Sequence, residues 1–231
     1  MRLVIWLAAA ALLLGSVATA DAATVTAGQR SVTYTAAPGE ANDVTVGVSP
    51  SDPATIVVRD SSAQISAGAG AGCMLASPHE ADCKLANGAS SVDASIDLGD
   101  GDDQAVENAP VWARIFGGPG NDRLSGCEAH GGPGDDVLSG CDGFGPDVGH
   151  WLDGGPGNDI LTGGDGRDLM NGGGGRDTMR GGEGDDTLLD SDTDRCPTIS
   201  TAVRAATASS TAAAASRWTS APAPRATATA P

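Results

Sequence analysis

Six carboxylates in this chain stand in one local context. Asp122, Asp136, Asp159, Asp168, Asp177 and Asp186 each fill the sixth place of a nine-residue pattern, Gly-Gly-x-Gly-x-Asp-x-(Leu/Met)-x. The copies begin at Gly117, Gly131, Gly154, Gly163, Gly172 and Gly181, and the last four run head to tail. Carboxylates at a fixed repeat come to lie above one another when the repeats stack, and they then repel unless a cation sits between them. Turns without bulky side chains add carbonyl oxygens to the donor set. Oxygen ligands alone, in a pliable loop, suit calcium better than magnesium or a transition metal. The chemistry on offer is the binding of a hard cation.

The elements that must position these groups follow from the rest of the nonapeptide. Its first six residues have to turn sharply, and glycine alone reaches positive-φ conformations at no steric cost. A minimal strand follows, such as Asp159-Ile160-Leu161, with one large apolar side chain directed inward: Leu124, Leu138, Leu161, Met170, Met179 or Leu188. A single unit cannot bury that side chain, so neighbours must stack as a solenoid. With two units to a coil, Asp159 falls near Asp177 and Asp168 near Asp186, along the two edges.

Defects in the array carry their own expectations. The step from Gly117 to Gly131 is 14 residues instead of 9, leaving a stub at Gly126-Cys127-Glu128-Ala129-His130. Asp142 to Asp147 keeps the x-Gly-x-Gly-x-Asp core but has Gly149 where a bulky residue belongs, and Trp151, Leu152 and Asp153 intervene before the clean run. Upstream, Leu98-Gly99-Asp100-Gly101-Asp102-Asp103 reads as a half-formed first turn. Good sites are expected in the clean run, and weaker or missing ones before it.

From about Leu98 to Asp190 the chain resembles the haemolysin-type calcium-binding (RTX) family, whose repeats form a calcium-stabilised parallel β-roll. The resemblance implies an all-β fold and calcium as the only cofactor. Carried over by position, it implies ligation by the six aspartates, with carbonyls of Gly118, Gly120, Gly155, Gly157, Gly164, Gly166, Gly173, Gly175, Gly182 and Gly184. Composition agrees: from Asp97 to Asp194 there are 22 Asp or Glu against 5 Arg and no Lys. Such a chain repels itself when metal-free, and its glycines each cost about 0.5–1 kcal/mol in lost entropy. With few aromatics the core is thin, so the region is expected to be disordered without calcium and to fold on binding it. Extracellular calcium modules work at about 10⁻⁴–10⁻³ M.

Residues 1–20 carry Met1-Arg2, an apolar run from Leu3 to Leu14, and Ala18-Thr19-Ala20 as a small-x-small cleavage pattern. This predicts a signal peptide and a secreted chain from Asp21; the run is too short to span a bilayer comfortably. The uncleaved C-terminal export signal of many RTX toxins is not transferred. Residues 21–97 form a small, strand-rich block that could simply cap the solenoid, with strands expected at Ser31–Thr35, Asp43–Val48, Thr55–Val58 and Val92–Ile96 between turn signals. The block resembles the all-β leader of secreted actinobacterial-type repeat proteins. In an exported protein Cys73 and Cys83 are expected to pair. Cys127 and Cys141 occupy equivalent Ser-Gly-Cys-(Glu/Asp) steps that stacked coils could bring together, leaving Cys196 over.

Residues 191–231 read as an Ala/Thr/Pro-rich disordered tail, or alternatively as a shifted reading frame: one frame over, Ser200 to Ser216 is compatible with more repeat-like sequence. No catalytic pattern emerges: His79, His130 and His150 stand alone at no zinc spacing and read as surface or turn residues, and neither a Gly-x-Ser-x-Gly elbow nor a Walker lysine is present. A formal charge of −17 argues against nucleic acid as a partner. Trp112, Trp151 and Phe116 read as core or capping residues. The reading is a non-enzymatic, secreted calcium-binding protein with a structural or adhesive role toward cell-surface or matrix components. The alternatives are a polysaccharide-acting enzyme supported by a β-roll, or a calcium-dependent ice or surface binder. The last needs a regular threonine row, whereas Thr162, Thr178 and Thr187 occupy different places in their repeats.

Overall fold

Alternation of small or apolar residues with polar ones recurs along most of the described chain, and it builds strands. The structure, a computed structural model, describes residues 22–68, 72–85, 93–108, 110–141, 148–189 and 199–201. The expected signal peptide, the Asp142–Asp147 turn and the tail apart from 199–201 lie outside these. Every regular element among them is a strand. The N-terminal strands are β1 (Ala23–Ala27), β2 (Ser31–Thr35), β3 (Asp43–Val48), β4 (Thr55–Asp60), β5 (Ile65–Ala67), β6 (Cys73–Ser77) and β7 (Glu80–Lys84). Then follow β8 (Asp93–Asp97), β9 (Gln104–Glu107), β10 (Trp112–Phe116), β11 (Arg123–Ser125), β12 (Glu128–His130) and β13 (Val137–Ser139). The clean run supplies β14 (Trp151–Pro156), β15 (Ile160–Asp165), β16 (Leu169–Gly174), β17 (Thr178–Glu183) and β18 (Thr187–Leu189), and β19 (Ile199–Thr201) comes last.

The chain from β8 onward is a parallel β-roll. Even-numbered strands stack in one sheet in the order β18-β16-β14-β12-β10-β8, odd-numbered strands in the other as β19-β17-β15-β13-β11-β9. Two nonapeptides therefore make one coil. The N-terminal block sits on the first coil: β2 pairs with β8 and β3 with β9, both in parallel. Both sheets then continue through antiparallel neighbours, β2-β1 on one side and β3-β4-β7-β6 on the other. The block thus covers the first coil's backbone edges, which would otherwise template association.

Between the sheets lies one file of side chains per strand set. Ile96, Ile115, Ala129, Leu152 and Met170 face inward from one sheet, and Ala105, Leu124, Leu138, Leu161 and Met179 from the other, all buried. Burying a leucine or methionine side chain contributes roughly 1.5–3 kcal/mol, so a coil with two such residues is held weakly by its core alone.

Four sequence expectations change here. Trp112, Phe116 and Trp151 are not core: they are 38%, 37% and 48% exposed. The reason is parity. Ala113 and Ile115 take the inward places of β10, which turns Trp112 and Phe116 to the outer face. On that face Phe116 stacks on His130 with ring centroids 5.0 Å apart, and His130 meets Trp151 edge-on at 5.6 Å. His130 is therefore not an isolated surface histidine. Nor is the stub at Gly126–His130 a defect. It forms β12, pairing with β10 and β14 and closing a short coil. Lastly, the 98–103 turn is a whole coil turn, leading into β9. Cys73 and Cys83 face each other across β6 and β7 and are bonded, with Cα atoms 3.9 Å apart. Cys127 and Cys141 are bonded as well, at a Cα separation of 4.7 Å.

Candidate metal centre

Each sixth-place aspartate follows a glycine turn and precedes a strand, so stacking the strands stacks the carboxylates. The backbone N–H of one aspartate donates to Oδ1 of the aspartate a coil later: Asp122 to Asp136 at 2.8 Å, Asp136 to Asp159 at 2.8 Å and Asp159 to Asp177 at 2.9 Å. On the opposite edge Asp168 donates to Asp186 at 3.1 Å. The six predicted carboxylates thus divide unequally, four along one edge and two along the other. The expected neighbours Asp159 and Asp177, and Asp168 and Asp186, are brought together.

The first ladder runs further upstream than the repeats do. Asp103 donates to Asp122 at 2.9 Å, and Asn42 of the N-terminal block donates to Asp103 at 2.7 Å. Asp103 was missing from the predicted ligands although its signal, Gly99-Asp100-Gly101-Asp102-Asp103, was visible; a turn lacking the leading Gly-Gly pair hid its equivalence. On the second edge the place upstream of Asp168 is held by His150, whose N–H donates to Asp168 Oδ1 at 2.9 Å. An outer ladder of fifth-place residues runs beside the first: Asn121 donates to Asp102, Asp135 to Asn121, and Asn158 to Asp135, through backbone N–H groups at 2.7–2.9 Å.

With Oδ1 spent on the ladder, Oδ2 is left over. Oδ2 of Asp103, Asp122, Asp136, Asp159, Asp168, Asp177 and Asp186 is buried with no hydrogen-bond partner. Leaving one ionised carboxylate oxygen buried and uncompensated is costly, and here it happens seven times in two rows. Each repeat makes room for it. A side chain on the first glycine, Gly117, Gly131, Gly154, Gly163, Gly172 or Gly181, would strike Oδ2 of its own repeat's aspartate. The predicted carbonyl donors Gly118, Gly120, Gly155, Gly157, Gly164 and Gly166 point along the stacking axis, each at the α-carbon of the matching glycine in the next coil. Gly173, Gly175, Gly182 and Gly184 hold the same places in the last turns, all at positive φ. The buried Oδ2 atoms, with glycine carbonyls beside them and no nitrogen or sulfur in the set, form a donor set that fits a hard cation such as calcium.

Electrostatics agree. Burial first, and then the neighbouring ladder carboxylates, push Asp122 and Asp159 from 3.8 up to about 7. Asp103, Asp136 and Asp186 are raised for the same leading reason. In the metal-free fold these carboxylates therefore favour the proton, and their folded values lie above their unfolded ones. For Asp122 and Asp159 that contribution to stability is full below about pH 4 and is lost as pH rises through about 7, while a cation needs the ionised form. Two opposite trends are expected. The calcium midpoint should fall as pH rises from about 6 to 8, and metal-free β structure should be greater near pH 4 than near pH 7. Circular dichroism at several pH values checks both, and a midpoint indifferent to pH over that range would refute the assignment.

The RTX calcium-binding nonapeptide repeat family matches in four copies, over residues 114–126 and 153–188. Over those residues the chain carries RTX-type calcium-binding repeats, and the strands they supply stack as a parallel β-roll. No curated protein and no solved structure matches it. Among the described residues, no helix is long and apolar enough to cross a membrane.

Proposed function

We propose that this protein is a secreted, non-enzymatic calcium-binding module whose β-roll folds when calcium enters the two aspartate rows, and whose role is structural or adhesive. The observation that carries the reading is the row of buried, unpartnered Oδ2 atoms. Without a cation, like charges one coil apart oppose the stack; with one, the same atoms hold it together. The two disulfides support an extracellular setting, since such bonds persist in oxidising compartments. For the adhesive role, the outer face of the β10–β14 region offers Phe116, His130 and Trp151 beside the Arg114–Glu128 ion pair, a mix of flat rings and polar groups suited to cell-surface or matrix components.

Far-ultraviolet circular dichroism of the chain from Asp21 tests the switch. Calcium should produce a cooperative gain of β signal, reversed by a chelator, and magnesium at equal concentration should not, because its small octahedral shell surrenders water reluctantly. Full β structure in metal-free solution at neutral pH, unchanged by calcium, would reduce the repeats to a passive scaffold and overturn the proposal.

A further inference from the structure

One group of chemically active side chains lies inside the roll at the upstream end of the second aspartate row. Cys127, Cys141 and His150 are all buried, and their ligating atoms lie within 4.8 Å of one another. Neighbouring inward places are filled by alanine, isoleucine, leucine or methionine, so three such residues at one level of a thin core stand out. Sequence gave no hint of the set, because 13 residues separate the cysteines and eight more precede the histidine. Coil stacking alone assembles it. His150, read from sequence as a solitary surface or turn residue, is 6% exposed. Its Nδ1 lies 2.8 Å from Asp168 Oδ1, and that carboxylate raises the imidazole's pKa above its usual value. A fourth buried group, Glu107, reaches the same level from β9. Its Oε2 accepts the Cys127 N–H at 3.0 Å, and its Oε1 lies 3.4 Å from Cys127 Sγ.

We propose that this cluster is a second, sulfur-and-nitrogen metal site, closed by the disulfide when oxidised and open to a zinc-class cation when reduced. Its chemistry is the converse of the aspartate rows: two thiolates and an imidazole select Zn²⁺ or Co²⁺ over Ca²⁺. Opening it takes two electrons. A trialkylphosphine attacks one sulfur, the S–S bond breaks, and water converts the phosphonium to phosphine oxide while both cysteines become thiols. Metal binding then displaces one proton from each thiol. Glu107 is a positioning residue, fixing Cys127 through its N–H, and burial pushes its carboxyl up to about 7. The same two coils are thereby stapled in either redox state, by a covalent bond or by a metal.

Cobalt reports on this site directly, since a thiolate–cobalt charge-transfer band cannot arise from oxygen ligands. Calcium-loaded protein, reduced with a trialkylphosphine and titrated with Co²⁺, should develop that band at one equivalent per chain, and one equivalent of Zn²⁺ should abolish it. Oxidised protein should show none. Cys127→Ser should remove the band, whereas the Cys73→Ser/Cys83→Ser double variant should keep it. Glu107→Gln should retain the band with affinity lowered about tenfold, as for other groups that orient ligands. Three results overturn the proposal: no band in reduced protein, a band that survives Cys127→Ser, or loss of β signal on reduction that Zn²⁺ does not restore.

Discussion

Replacing Asp159, Asp168, Asp177 and Asp186 together with asparagine should yield a chain that no longer gains β structure when calcium is added. Asparagine is nearly isosteric, and its Oδ1 can still accept the ladder N–H that Asp159 now takes from Asp136 and Asp168's Oδ1 takes from His150. What disappears is the charge on Oδ2, the atom that has no other partner. At free calcium 100 times its dissociation constant, a site contributes about 2.7 kcal/mol, so four sites amount to roughly 11 kcal/mol. That is as large as the whole stability of an ordinary domain. A calcium titration followed by circular dichroism decides the matter. If the quadruple variant responds with an unchanged midpoint, the carboxylates serve only as hydrogen-bond acceptors and the cation lies elsewhere. Single replacements should be graded. Asp159 sits within the long ladder, with coils on both sides, whereas Asp186 closes the short one and is less buried, so Asp159→Asn should raise the calcium midpoint more than Asp186→Asn.

A second large effect is expected from one methyl group, and it depends on which of two adjacent glycines receives it. Gly175 has φ of 134°, and a Cβ there would overlap the carbonyl oxygen of Gly157 in the preceding coil. Gly174 has no positive φ, and nothing lies within 4 Å of where its Cβ would be. Backbone strain costs of order 1–3 kcal/mol, and forcing the coils apart costs a similar amount. Gly175→Ala should therefore destabilise the calcium-bound form by roughly 2–6 kcal/mol. Gly174→Ala should be neutral or slightly stabilising, because it restricts the unfolded chain. Thermal unfolding in saturating calcium compares the two. Equal melting temperatures would mean that the coils do not approach as closely as the stacking carbonyls indicate.

Much of this architecture was legible before any coordinates. The repeat placed turn, carboxylate and inward apolar residue in fixed order, and from that order followed the roll, the two edges and the pairing of Asp159 with Asp177 and of Asp168 with Asp186. Strands β2 and β3 were readable in the N-terminal block because their alternation is regular. Strand β6 was not, since all but the first of its residues are exposed and it carries no such pattern. The outward aromatics were misread for a related reason. Bulk and apolarity suggest burial, but the side a residue faces is fixed by parity with Ile115, and a thin interior already filled by isoleucine, leucine and methionine has no place for an indole.

Sequence by itself determined the unit: glycine because the chain must turn and carbonyls must approach, aspartate because a cation must be held, leucine or methionine because neighbours must stack. These are local requirements, and they repeat every nine residues. Tertiary structure decided everything that depends on how many residues a coil happens to use. Stacked aspartates are 14, 18, 19 or 23 residues apart along the chain, yet all keep one hydrogen-bonded spacing. It is strand pairing, not sequence distance, that sets the vertical step. That is why Asp103 and Asn42 extend a ladder which the motif does not reach. For the same reason Cys127, Cys141 and His150, unrelated in the sequence, meet at one level of the core.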